Sequence, residues 1–211
     1  MEIEIWSDVV CPFCYLGKRR LEKALEDFPG RDDVNVTWKS FQLHPGLKAK
    51  PGLGLESYLA ERKGWSLPQI RANHDRLAQA GAELGLDYRF EKAVIADTFD
   101  AHRLLQLAKA EGKEGAMEER LFRAYFPEGK DLGEAKVLAG LAGEAGIDPA
   151  KAEAVLADKQ TFAEAVRSDI EEAERLGVSG VPFFVFDRRF AVSGAQEAEV
   201  FRRALAQASE P

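Results

Sequence analysis

Both cysteines of the 211-residue chain lie in one short segment, Cys11-Pro12-Phe13-Cys14, inside WSDVVCPFCYLGKRRLEKAL. On a helix, positions i and i+3 share a face. Such a pair at a helix start can approach to the roughly 4.4–6.8 Å between Cα atoms that a disulfide requires. The pattern switches from apolar to helical at Pro12, which puts Cys11 at the helix N-terminus. Free N–H groups and the positive end of the helix dipole stabilise a thiolate there. Cys11 is then the candidate nucleophile and Cys14, one turn inside, the candidate resolving thiol. Pro12 is compatible with a first helical turn, where its missing N–H has no partner to lose.

The plainer readings of this pair are weaker. A structural disulfide closing so short a loop constrains the unfolded chain least of all. Zinc needs four ligands, yet there is no second cysteine pair, and His44, His74 and His102 do not stand at metal-ligand spacing. No metal is expected. Two inert buried thiols are the remaining plain reading, and the helix-start position argues against it.

The elements that must position the pair are legible around it. Residues 2–8 alternate and read as a strand. Leu21, Ala24, Leu25 and Phe28 form a helical stripe closed by Pro29-Gly30, and VNVTWKSF reads as a second strand. After a Gly- and Pro-rich loop, nearly everything up to Leu176 reads as helix. Asp148-Pro149 is a helix start, TFAE (161–164) fits a capping box and Gly177 a helix stop. VPFFVF (181–186) reads as a strand buried on both faces, DRR as a turn, FAVSG as the paired strand and residues 195–208 as a closing helix. Pro182 opens a strand whose ladder it cannot join, and so needs its own reason. The expected division is residues 1–50 and 159–211 in one α/β domain, interrupted by a helical domain at 51–158.

Composition bounds the function. Lys plus Arg total 29 and Asp plus Glu 36, a net charge of −7 with no basic block, which disfavours a nucleic-acid partner. No apolar run reaches the ~20 residues of a membrane span. MEIEIWSDVV lacks the basic start and apolar centre of a signal peptide, so the chain reads as cytoplasmic, with no membrane partner, as a monomer or homodimer.

Taken together, SDVVCPFCYLG (7–17), DTFDAHRLLQLA (97–108), GVSGVPFFVF (177–186) and FAVSGAQ (190–196) resemble the DsbA family of thiol–disulfide oxidoreductases, and within it the FrnE-like cytoplasmic branch. The resemblance implies a thioredoxin fold interrupted by a large all-helical insertion. It implies Cys11 as the exposed nucleophile and Cys14 as its partner, with a redox-active Cys11–Cys14 disulfide in place of a bound cofactor. It implies a cis peptide bond before Pro182, a Val181 backbone that pairs with substrate, and thiol- or disulfide-containing polypeptides or small thiols as partners, with glutathione a possible reductant. His102 and Arg103 lie in a segment that faces the groove in the family. His102 is the candidate substrate contact, against a hydrogen-bonded His102 and a solvated Arg103 as the ordinary reading. Pro12 and Phe13 support the site, and Phe13 stands where the family's DsbA carries a His. The implied potential is less oxidising than the about −120 mV of DsbA. The position six residues before Cys11, which holds a buried acid in thioredoxin-like proteins, is Ile5, while Asp8 lies nearer.

A second reading shares the architecture: kappa-class glutathione transferases and 2-hydroxychromene-2-carboxylate isomerases. These carry Ser at the Cys11 position and no thiol at the Cys14 position, so this chain departs from them at both. A polypeptide-binding module indifferent to its thiols is a third.

Overall fold

A computed structural model describes residues 1–47 and 53–210. The elements run β1 (Glu2–Ser7), α1 (Pro12–Glu26), β2 (Asn35–Ser40), α2 (Leu55–Lys63), α3 (Leu67–Ala82), α4 (Phe99–Ala110), α5 (Glu114–Tyr125), α6 (Ala135–Glu144), α7 (Pro149–Ala157), α8 (Ala163–Arg175), β3 (Phe183–Phe186), β4 (Phe190–Ser193) and α9 (Ala198–Ala208). The four strands form one sheet in the order β2-β1-β3-β4. β1 pairs parallel with β2 and antiparallel with β3, and β3 pairs antiparallel with β4. This is a thioredoxin fold with a helical insertion.

Two compact units result: Met1–Leu43 with Glu164–Pro211, and His44–Ala163. The expected first division, at 50/51, lies outside the described residues, and the unit changes at Leu43/His44. The second division falls at 163/164 rather than 158/159, for a reason found in Arg103. Its side chain is fully buried. Nε donates to the Thr161 carbonyl at 2.9 Å and Nη1 to Asp100 at 2.7 Å. Nη2 donates to the carbonyls of Val155 and Asp158. Residues 155–161 are thereby bound into the helical unit, and Arg103 is an internal clamp, contrary to the expected solvated face. The capping box at 161–164 does not form. The Thr161 hydroxyl bonds Asp158, Phe162 has φ +62° and α8 opens at Ala163. By contrast Asp148 does cap α7, accepting from the Ala150 amide at 2.9 Å.

In the thioredoxin-fold unit, period-2 alternation sorts side chains onto two faces. Ile3, Ile5, Trp38, Phe184 and Phe186 form one core with Leu21 and Ala24 of α1 and Phe201 and Leu205 of α9. The opposite face carries Trp6 against Ala173 and Val178, with Phe183 and Val185 packed around them. β3 is therefore fully buried on one face only, since Phe183 and Val185 are half-buried. α8 is held on this second face by polar bonds. Trp6 Nε1 donates to the Asp169 carbonyl at 2.9 Å, and the Ser40 amide to Asp169 Oδ2 at 3.0 Å. Lys39 Nζ lies 3.1 Å from Asp169 and 2.9 Å from Glu172. Burial pushes the Lys39 ammonium down, but Glu172 and Asp169 outweigh it and hold it above its ordinary value.

In the helical unit, His74 stacks on Phe90 with ring centroids 4.0 Å apart and planes 10° from parallel. Burial lowers the His74 pKa below its ordinary 6.5, against opposing pulls from Glu56 and Asp75. The folded chain thus prefers neutral His74. Its contribution is complete above the unfolded pKa of about 6.5 and is lost as pH falls through the lower folded value. Urea titrations between neutral and mildly acidic pH should show this decline, and His74→Phe should flatten it. Arg103→Met, which removes the donor shared by the carbonyls of Thr161, Val155 and Asp158 while Asp100 keeps Lys159, should cost about 1–3 kcal/mol in the same assay.

Candidate active site

β1, a central strand, ends at Ser7, and a short turn, Cys11 N–H to Asp8 carbonyl at 2.9 Å, delivers the chain to α1. Cys11 is the N-cap, with extended φ −89° and ψ 113°, and Pro12 is the first helical residue. The Cys11 carbonyl accepts from the Cys14 amide at 3.0 Å. Both cysteines are free thiols, 3% and 1% exposed. The expected exposed nucleophile is therefore buried in this structure. Its Sγ is turned inward to the Val181 carbonyl, 3.6 Å away, so that Cys11 is already engaged by the strand opposite. The exposed member of the motif is Phe13, at 41%.

The opposite strand arrives through a cis Val181–Pro182 bond. Pro182 is buried and its carbonyl accepts from the Gly194 amide at 2.8 Å, which ties the proline to the start of the β4–α9 connection. Arg20 of α1 donates to the Ala195 carbonyl at 2.5 Å and pairs with Glu197. Gly17 completes the fit. A Cβ at this position would stand 3.0 Å from Pro182 Cγ and 3.1 Å from Phe184 Cζ, closer than ordinary contact. Glycine costs a helix interior about 1 kcal/mol relative to alanine. Here it is the residue that lets α1, and both thiols with it, lie against Pro182.

Burial drives the Cys14 thiol well above its ordinary pKa, and its hydrogen bond and charge interaction with Cys11 add to the rise. The Asp8 backbone N–H and the Ser7 hydroxyl oppose the rise by hydrogen-bonding the sulfur. Cys14 is thus held as a neutral thiol beside its partner. Asp8 is 1% exposed and its Oδ2 accepts from the Leu43 amide at 2.8 Å, so it anchors the β1–α1 turn to the chain after β2. Ile5, six residues before Cys11, is packed in the apolar core.

The structure thus gathers Cys11, Pro12, Phe13, Cys14, Val181 and Pro182 in the thioredoxin-fold unit. His102 lies on α4 of the helical unit, 1% exposed. Two residues escaped the sequence reading. Ser7 breaks an otherwise apolar inward row, Ile3-Ile5-Ser7, and Gly17 interrupts a helical pattern; both were signals of close contact. Among the described residues there is no group of three or more His, Cys, Asp or Glu side chains placed to hold a metal, and no helix long and apolar enough to cross a membrane.

Comparison with known proteins agrees with this geometry. The family model for the DSBA-like thioredoxin domain matches residues 2–206. The crystal structure of the probable DsbA oxidoreductase of Streptomyces coelicolor superposes with a TM-score of 0.94 at 45% identity, over 99% of this chain and 89% of that one. The uncharacterised protein YwbO of Bacillus subtilis is 27% identical over 97% of this chain and 96% of its own. The cytosolic disulfide reductase DsbM of Pseudomonas aeruginosa, at 21% identity and a TM-score of 0.68 over 98% of both chains, shares the fold and has also been solved with GSH.

Gly17→Ala sets a helix-propensity gain of about 1 kcal/mol against overpacking of about 1–3 kcal/mol. A net loss of roughly 1 kcal/mol is expected, measurable by urea denaturation, because the ring of Pro182 cannot rotate out of the way.

Proposed function

The chain belongs to the DSBA-like thioredoxin domain family, and on that footing we propose that it is a thiol–disulfide oxidoreductase and isomerase working through Cys11 and Cys14. The observation that carries this reading is the dithiol itself: Cys11 at the N-cap of α1 with its sulfur against Val181, and Cys14 one turn on, kept protonated by burial.

In the reductive direction the Cys11 thiolate attacks one sulfur of a substrate disulfide. The first substrate thiolate leaves and Cys11 is joined to the second substrate sulfur. Cys14 then attacks the Cys11 sulfur, expelling the second substrate thiol and leaving a Cys11–Cys14 disulfide. Two electrons pass from the dithiol to the substrate. The reverse sequence oxidises substrate thiols, and attack followed by return through a different sulfur isomerises. The Val181 backbone, at the mouth of β3, is the segment we assign to substrate pairing. We place Phe13 at the rim as an apolar contact and Pro12 and Pro182 as supports. The substrates are disulfide- or thiol-bearing polypeptides or small thiols. Glutathione is the reductant we propose, a choice supported by the fold shared with DsbM, which was solved with GSH. The FrnE-like branch and a cytoplasmic site of action are part of the same reading, supported by the motifs at 7–17 and 190–196.

The glutathione transferase and chromene isomerase reading is the weaker one. It leaves unexplained a second, buried free thiol hydrogen-bonded to the first.

Cys11→Ser should bring dithiothreitol-coupled insulin reduction down to the uncatalysed rate, because Cys11 is the nucleophile toward substrate. Cys14→Ser should instead accumulate a mixed disulfide on a non-reducing gel. Insulin reduction unchanged in Cys11→Ser would sink the dithiol reading.

A further inference from the structure

Resolution of the mixed disulfide requires a thiolate at Cys14, a residue only 1% exposed. A charge in such a place is costly unless fixed donors replace the lost water. In thioredoxin-like sites a buried acid could assist, but Ile5 occupies that position and is packed among Ile3, Trp38, Phe184 and Phe186. What meets the Cys14 sulfur instead is the C-terminal end of β1. The Ser7 hydroxyl and the Asp8 backbone N–H both hydrogen-bond it. Ser7 is 2% exposed and lies in register with Ser40 of β2, itself 3% exposed. The alternation of β1 places Ser7 on the Ile3–Ile5 face, the face that α1 covers.

We propose that Ser7, with the Asp8 N–H, forms a two-donor cradle for the Cys14 sulfur and is the positioning residue for the resolving step. This rests on the dithiol reading. In that step Cys14–SH and the Cys11–S–S–R mixed disulfide become the Cys11–S–S–Cys14 disulfide and R–SH. The Cys14–Cys11 bond forms as the Cys11–S(R) bond breaks, and the proton given up by Cys14 is taken by the departing thiolate. The hydroxyl of Ser7 keeps its own proton throughout and donates a hydrogen bond to the negative charge on Cys14. The ionisable side chain facing Cys14 from α1 is that of Cys11. In the β1–α1 turn it is that of Asp8, whose carboxylate is turned to the Leu43 amide. β2 brings Ser40 to the register position beside Ser7.

The test separates the two chemical steps. Reduced protein is mixed with glutathione disulfide, quenched with acid at intervals and weighed by mass spectrometry. Mixed-disulfide formation at Cys11 should be unchanged in Ser7→Ala, while its resolution slows about tenfold near neutral pH, the worth of one hydrogen bond to a charged group. The gap should close in alkali, where Cys14 ionises unaided. In a Cys11→Ser background, the thiolate absorbance of Cys14 should titrate about one pH unit higher when Ser7→Ala is added, the same tenfold. Ser7→Thr should restore resolution and Ser7→Val should not. That pair is matched in shape and carries the test if Ser7→Ala folds poorly. Mixed disulfide that forms and resolves in Ser7→Ala with the wild-type rate and pH profile overturns the cradle and leaves the dithiol reading standing. No mixed disulfide at Cys11 in the wild type defeats the dithiol reading, and the cradle falls with it.

Discussion

Close packing of α1 against Pro182 is the constraint on which the rest of this site depends. Two segments 170 residues apart, Cys11 and Val181, are brought to a sulfur–carbonyl distance of 3.6 Å. They meet there because Gly17 presents no side chain to the proline ring and to Phe184. Everything else at the site follows from that approach. The Pro182 carbonyl is taken by Gly194, and the Ala195 carbonyl by Arg20, so the three connections at the end of the sheet are tied to one another. Such bonds hold a reacting group in place without requiring it to be exposed.

The sheet supplies the platform through two unlike faces. Toward α1 and α9 it is an apolar core of isoleucine, phenylalanine and tryptophan. Toward α8 it is a mixed surface, where Trp6 is bonded to the Asp169 carbonyl and Lys39 is shared between Asp169 and Glu172. Arg188 joins this cluster by bonding Glu4 and Glu172. Burying an ion pair adds little stability compared with an apolar contact of the same volume. It does restrict geometry, because only one placement of α8 satisfies Trp6, the Ser40 amide and Lys39 at once. The helix so fixed leads directly into Gly177 and the Val181–Pro182 segment.

Arg103 shows the same principle in the helical unit. A guanidinium offers five donors in a rigid plane, and here it is spent on one carboxylate and three carbonyls. Burial pushes the Asp100 carboxyl up, yet Lys159 and Arg103 together hold it below its ordinary range. The chain from α7 into α8 is consequently read by its carbonyls, which no side-chain pattern reports. That is why the TFAE pattern does not become a capping box and why the helical unit runs on to Ala163.

Much of this protein was legible in the residues alone. The strand–helix–strand order at the start, the helical middle, the terminal hairpin and the Cys11–Cys14 pair at a helix start all follow from local periodicity and local chemistry, which a sequence states directly. So does the Asp148 cap, since its bond spans two residues. What only the tertiary structure decided are relations between distant parts. They include the burial of Cys11, the inward row ending at Ser7 beneath Cys14, the vacancy at Gly17 for the ring of Pro182, and the clamp role of Arg103. Each depends on which carbonyl, ring or sulfur arrives from elsewhere in the chain. Periodicity tells which way a side chain points; only the packed fold tells what it meets.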